Sequence, residues 1–369
     1  QATAEWTPNR TAAETGLTVD QITGLARSYA DATPAAIRFG VGMQRAAGAG
    51  MAIRSIQCLP ALAGHWRHRG GGIMNARTMS LLGREKMWGS ANSDTRSVNM
   101  IQLGQALTDE TFEPPIQALM VWNSNPAVIS ANQNKIITGL ERDDLFTVVH
   151  DLFLTDTARY ADIVLPAPSM LEHEDLVGSW GFNYVALNRA AIKPIGESKP
   201  NSEVARLLAA AMEYDNPIFA MTDDELMRHC LDGSTGEALG ATYERLDSEG
   251  FVRVEHPGGE VPYSNGNFDG SADGRFEFQS DQFDVAFGLG ALPSYVAPAE
   301  SPISQPDLAQ RYPLRLLTLK RSRSINSSYG DLPVLRGFEP ELRIEIHPVD
   351  AALRSVSDGD RISAHNDRG

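Results

Sequence analysis

The stretch Leu145–Pro166, LFTVVHDLFLTDTARYADIVLP, decides the fold class. An apolar, β-branched run stops at Asp151, a Thr/Asp cluster follows, and a second apolar run stops at Pro166. Short apolar runs bounded by turn-forming residues read as buried strands. The spacing therefore predicts a strand over Phe146–His150, a short helix capped near Thr155, and a strand over Ile163–Leu165. Strand, helix and strand in alternation imply a parallel sheet with helices on its faces.

The same alternation extends upstream. IQALMVW, Ile116–Trp122, reads as a strand running into NSNPAV, where Pro126 suits the first turn of a helix and Asn125 its cap. That helix runs toward NKIITGL. AAIRFG, Ala35–Gly40, is a short strand entering the Gly-rich turn GVGMQRAAGAG, and MAIRSIQCLPALAG is the helix after it. TVDQITGLARSYADAT is a further helix. Thr18 and Gln21 form a capping box, and Ile22, Leu25, Ala26 and Tyr29 share one face. From His65 to Pro115 the pattern weakens, and HWRHRGGG reads as a loop.

Downstream, NSEVARLLAAAMEY is an amphipathic helix capped by Asn201, and DDELMRHCL is another. From Asp232 to Pro313 the chain is rich in Gly, Ser, Asp and Pro and reads as an irregular excursion. A separate unit begins at YPLRLLTLKR. There LRIEIHP and DRISAHN alternate as strands, VDAALRS is a short helix and SDGD a turn. The expected fold class is α/β: a doubly wound, mostly parallel sheet with flanking helices, followed by the start of a β-barrel-like domain. The boundaries are 1–231 for the α/β domain, 232–311 for the excursion and 312–369 for the last unit.

Composition narrows the function. Of 369 residues, 42% are hydrophobic and 21% charged, with a net charge of -15. That charge argues against a broad basic surface for nucleic acid or anionic membrane. No apolar run approaches the length of a membrane span. Two cysteines, Cys58 and Cys230, form neither a disulfide framework nor a metal cluster and read as buried small hydrophobes. The chain starts at Gln1 rather than Met, which suggests a piece of a longer protein and leaves the compartment open.

In parallel sheets, ligands bind beyond the carboxyl ends of the strands, where helix N-termini point. Gly40, Gly42 and Gln44 follow the first strand, and Asn123, Ser124 and Asn125 the second. Asp151, Thr155 and Thr157 follow the third; Pro166, Ser169 and Glu172 the fourth. Each has a plainer role when taken alone. Asn125 and Thr155 serve as caps, and Gly40 and Gly42 serve a tight turn. Together they favour a nucleotide-type ligand, because a carboxylate at a strand end can accept two hydrogen bonds from a ribose or a guanine N–H edge. Two basic spots, HWRHRG and LKRSRS, stand against the acidic background. Such loops either lie in solvent or hold pyrophosphate.

These residues carry a resemblance. VWNSNPAV, HDLFLTDTARYADIVLPAPSMLEHED, KPIGESKPNSEVARLLAAAM and EIHPVDAALRSVSDGDRISAHNDRG resemble the molybdopterin oxidoreductases of the dimethyl sulfoxide reductase superfamily, which includes nitrate reductases and formate dehydrogenases. The resemblance implies a molybdenum or tungsten atom held by two pterin guanine dinucleotides. It puts Gly40 and Gln44 near a pterin, with Gly42 in the same turn. Asn123 or Asn125, His150, Asp151 and His173 would hold a guanine nucleotide, with Thr155 in the same loop set. Thr318, Lys320, Arg321, Ser324, Asn326 and Ser327 would meet the pterin-phosphate part. Thr157 and Ala158 would start a helix, and Asp162 would fix the start of the next strand.

The family's iron–sulfur cysteines and its metal-ligating Ser, Cys or selenocysteine have no counterpart here, so no residue is assigned to the metal or to catalysis. The expected partners are a small-molecule substrate, the rest of the same enzyme, and an electron-transfer subunit or redox carrier. Two other classes stay open: a structural subunit that kept the fold and lost the cofactor, and a free-standing nucleotide-binding module.

Overall fold

The computed structural model describes residues 3–75, 82, 96–178, 182–254, 259, 261, 263–268, 270–319, 325–330, 332–338 and 342–369. The chain divides into two compact units. One comprises Gln1–Met87, Leu176–Leu187 and Met227–Leu314; the other Trp88–Asp175, Asn188–Leu226 and Arg315–Gly369.

The second unit is built on three strands, β3 (Ala118–Trp122), β4 (Phe146–Asp151) and β5 (Ile163–Pro166), numbered after two strands of the first unit. They pair in parallel in the order β3-β4-β5. The register sets Trp122 beside His150 and Asp151 beside Pro166, so all three strands stop at one edge. Val121 and Val149, buried on one face, pack with Ala158 from the crossover. As the resemblance implied, Asp162 ties the start of β5. Its Oδ2 accepts from Thr147 N at 2.6 Å, and its own N–H donates to Thr147 O at 2.8 Å.

The helix expected after Asn125 is two helices, Pro126–Ile129 and Gln133–Leu140, whose Ala127, Ile136 and Leu140 form a second core cluster. The latter packs on the helix Leu103–Thr108 at very short range. A Cβ added at Gly139 would lie 2.5 Å from Leu107 Cβ, and one at Gly104 would lie 2.9 Å from Lys135 Cβ. Arg142 donates to Leu107 O at 2.7 Å, satisfying a carbonyl left over near the end of that helix.

In the first unit, helices α1 (Pro8–Thr15) and α2 (Val19–Asp31) precede β1 (Ala36–Phe39). The capping box is present: Gln21 N donates to Thr18 Oγ1 at 3.2 Å and Thr18 N to Gln21 Oε1 at 2.9 Å. Helix α3 (Ala49–Ala63) follows, and then β2 (Gly72–Asn75), parallel to β1. A second sheet, in the order β6 (Asp175–Gly178), β7 (Tyr184–Asn188) and β8 (Phe251–Arg253), has β7 and β8 antiparallel. Val185, Leu187, Met227, Leu231, Leu246, Val252 and Val254 form its core.

The structure corrects several expectations. The parallel strands are there, and among the described residues they pair in two ladders, β1 with β2 and β3–β4–β5. A four-residue strand such as Gly72–Asn75 carries too little periodicity to be read in advance. The stretch read as irregular holds the helix Tyr243–Glu249 and β8, which bury Leu246 and Val252. Leu25, placed on one face of α2 with Ile22, Ala26 and Tyr29, is 71% exposed. Asn201 opens its helix with Pro200 in the cap position and makes no side-chain cap. In the last unit the helix Pro348–Ala352 and the turn at Ser357–Asp360 form, the latter closed by Ser357 N donating to Asp360 Oδ2 at 2.7 Å. LRIEIHP and DRISAHN do not form strands among the described residues, because an alternating segment becomes a strand only with a partner for its ladder. Among the described residues no helix is long and apolar enough to cross a membrane.

Candidate functional site

The edge where β3, β4 and β5 end collects most of the second unit's candidate residues. β3 leaves the sheet through Asn123, whose φ of 51° is a left-handed conformation that asparagine tolerates better than most residues. Its N–H still donates to His150 O, at 3.3 Å.

Asn125 is only 7% exposed and its side chain is fully engaged. Its Oδ1 accepts from Thr157 Oγ1 at 2.7 Å and from Thr157 N at 3.1 Å, while its Nδ2 donates to Asp156 at 3.3 Å. Thr157 Oγ1 in turn accepts from Ala127 N at 3.0 Å. This buried network locks the loop after β3 to the loop after β4. Thr155 caps the short turn that follows, its Oγ1 accepting from Ala158 N at 3.2 Å.

His150 is fully buried, and its Nε2 lies 2.9 Å from Lys199 O. A carbonyl only accepts, so Nε2 carries the proton, and in the neutral ring Nδ1 is an acceptor. That Nδ1 has no partner among the described residues. Asp151, half-buried at the same strand end, accepts from Phe153 N through Oδ1 at 3.1 Å. Its Oδ2 has no partner among the described residues. His173 repeats the histidine logic. Nδ1 lies 2.8 Å from Ser169 O and donates to it, so neutral His173 shows a bare Nε2.

The loop after β5 is held by Glu172, 7% exposed. Its Oε2 accepts from Ser169 N at 2.7 Å and from Ser169 Oγ at 2.5 Å, and its Oε1 accepts from Ile195 N at 2.8 Å. The Ser169 hydroxyl, then the Ser169 and Ile195 amides, hold this carboxyl below the usual carboxylate range. A segment over 188–199 crosses the same loop. Ala191 N and Ile192 N donate to Leu171 O, Lys199 N donates to Pro166 O, and Asn188 Nδ2 donates to Met170 O and His173 O. The role of Lys199 and Ile195 was not read from the sequence. The Pro- and Gly-bearing KPIGESKP just before a helix was the available signal.

The other candidates sit elsewhere. Gly40, Gly42 and Gln44 follow β1 in the first unit, in the 3-10 turn Val41–Arg45 and its preceding residue. Thr318 and Asn326 are exposed and Ser327 half-buried; Lys320, Arg321 and Ser324 lie outside the described residues. His65, in the HWRHRG stretch read as a loop in solvent or on pyrophosphate, is 2% exposed. Its Nε2 donates to Tyr29 O at 2.9 Å and its Nδ1 accepts from Ala35 N at 3.4 Å, so it is a core histidine joining α2 to the start of β1. Cys58 is half-buried on α3 and Cys230 is buried. No group of three His, Cys, Asp or Glu side chains among the described residues is placed to hold a metal ion.

Asp151 Oδ2, at the end of β4, and His173 Nε2, in the loop between β5 and β6, are left as acceptors, and hydrogen-bond donors on a ligand would complement them.

Comparison with known proteins gives the family. Residues 1–211 match the family described as "Molybdopterin oxidoreductase", and residues 314–369 the "Molydopterin dinucleotide binding domain". The chain is 34% identical to the probable oxidoreductase YoaE of Bacillus subtilis, over 99% of this chain and 52% of that protein. It is 29% identical to the dimethyl sulfoxide reductase DmsA of Escherichia coli, over 98% of this chain and 49% of that one. Its fold is similar to that of acetylene hydratase from Pelobacter acetylenicus, with a TM-score of 0.73 at 23% identity, over 96% of this chain and 53% of that one. The chain spans about half the length of the curated relatives it matches. A family match over more than half of the chain, ending on a second match to its dinucleotide-binding domain, places this protein in the molybdopterin oxidoreductase family.

Proposed function

We propose that this chain supplies pterin-guanine-dinucleotide-binding surface to a molybdenum or tungsten oxidoreductase that works by two-electron redox or oxygen-atom transfer on a small substrate, with nitrate and formate as examples of the class. The observation that carries this reading is that Asp151 Oδ2, at the end of β4, and His173 Nε2, in the loop between β5 and β6, have no partner among the described residues. A guanine offers N1–H and a 2-amino group on one edge, and a carboxylate or an imidazole nitrogen can accept from such donors.

In this reading Asp151 and His173 bind the base or ribose, and Asn123 borders them. Asn125, His150 and Thr155 hold the loops in place from beneath. Gly40, Gly42 and Gln44 border a pterin. By the resemblance, Thr318, Lys320, Arg321, Ser324, Asn326 and Ser327 would serve its phosphates. When bound, the metal–pterin group supplies the electron chemistry, and the protein supplies orientation and hydrogen bonds. The doubly wound sheet, the barrel-like last domain and the boundaries at 231 and 311 belong to the same proposal, as does an electron-transfer partner.

Replacing Asp151 by Asn turns one acceptor oxygen into a donor. In the full-length enzyme, Asp151→Asn should lower the guanine-nucleotide and metal content of the purified protein several-fold. Unchanged content would remove Asp151 from the site.

A further inference from the structure

One buried carboxylate closes the loop that carries His173. Glu172 collects three donors from two separate segments: the Ser169 amide and hydroxyl within its own loop, and the Ile195 amide from the segment that crosses it. Its neighbour His173 is oriented through that same serine, because its Nδ1 donates to Ser169 O at 2.8 Å. Glu172 therefore reaches His173 twice, by chain adjacency and through Ser169. The crossing segment is tied at its far end by Lys199, whose N–H donates to Pro166 O at 3.2 Å and whose carbonyl accepts from His150 at 2.9 Å. The clasp so formed stands on the ends of β4 and β5, where the nucleotide is proposed to bind.

We propose that Glu172 is a positioning residue for nucleotide binding: by fixing Ser169 it fixes the ring and the Nδ1–H tautomer of His173, so that Nε2 meets the ligand as an acceptor. This inference rests on the reading of the β4–β5 edge as the nucleotide site. Glu172 itself needs no contact with the ligand. A tautomer set by the bond at the far ring nitrogen is the usual way a protein gives a histidine one defined role.

Asp162 offers an internal comparison. It is the acid at the other end of β5 and ties that end to Thr147 N at 2.6 Å. Glu172→Gln replaces one acceptor oxygen by an amide that faces a donor, and Ser169→Ala removes the hydroxyl donor alone. Both are compared with Asp162→Asn in the full-length, cofactor-loaded protein. The first readout is the rate at which the guanine-bearing cofactor is lost on dilution, with released GMP measured after acid hydrolysis. The second is the 15N chemical shifts of the His173 ring.

The expected result is faster loss in Glu172→Gln, on the order of tenfold as for other residues that orient a ligating group from behind, and a smaller change in Ser169→Ala. In both, the His173 ring would shift from the Nδ1–H tautomer toward a mixture. Asp162→Asn should lower the melting temperature with the tautomer intact. The inference is overturned if Glu172→Gln and Ser169→Ala leave the tautomer and the loss rate as they were, or if they change nothing beyond what Asp162→Asn changes at equal melting temperature. Asp151→Asn separates the two levels of the argument. If it speeds loss while Glu172→Gln does not, the positioning role alone fails. If Asp151→Asn has no effect, the nucleotide site lies elsewhere and both fail.

Discussion

Thr157 shows how much a single hydroxyl does in this protein. Fully buried, it donates to Asn125 Oδ1 at 2.7 Å and accepts from Ala127 N at 3.0 Å. Thr157→Val keeps the shape, leaves the Ala127 amide buried without its acceptor and leaves Asn125 Oδ1 only the Thr157 amide. The expected loss is about 1–3 kcal/mol of stability, measured by urea unfolding with unchanged slope. Glu172 makes a prediction about pH. Its folded-state carboxyl is held low, chiefly by the Ser169 hydroxyl. A depressed acid contributes stability above its unfolded value, about 4.3, and loses it as pH falls through the lower folded value. The Ile195 amide resonance should therefore move with a midpoint below the ordinary glutamate value of about 4.3. A midpoint at or above that value would show that Glu172 is not held low. Candidate residues were legible at this scale where a strand end and a polar cluster coincide, as at Asp151. His65 was not, because its partners Tyr29 and Ala35 lie about 30 positions away, where no local pattern reports them.

Elements were legible where their signals are local. The strands β4 and β5 are short apolar runs closed by Asp151 and Pro166, and the start of α2 announces itself through Thr18 and Gln21. Which strands would pair was not legible. β1 finds β2 across the length of α3, and β7 finds β8 from more than sixty residues away in the chain. The same holds for helix contacts. Gly139 looks like a mild flaw in a helix, yet it lets Leu107 approach to a distance that no Cβ allows. Gly139→Ala should gain up to about 1 kcal/mol of helix propensity and lose more from the clash, for a net loss of about 1–2 kcal/mol. A melting temperature above that of the unaltered protein would show that the two helices separate without cost.

For the whole molecule, family membership follows from the matches over residues 1–211 and 314–369 and agrees with the resemblance carried by TDTARYADIVLP. The first unit's β6–β8 core was not legible, nor was it legible that LRIEIHP and DRISAHN form no strand among the described residues. Both depend on which distant segment lies alongside, and hydropathy does not encode that. The account's central claim is that the end of the β3–β5 sheet holds the guanine nucleotide of a metal–pterin cofactor. The measurement that tests it most directly is elemental analysis for molybdenum and tungsten on the full-length protein from its native source, with GMP released from the same sample counted against it. The account predicts one metal atom accompanied by about two GMP, with both lowered together in Asp151→Asn. A well-folded protein with neither metal nor GMP would contradict it.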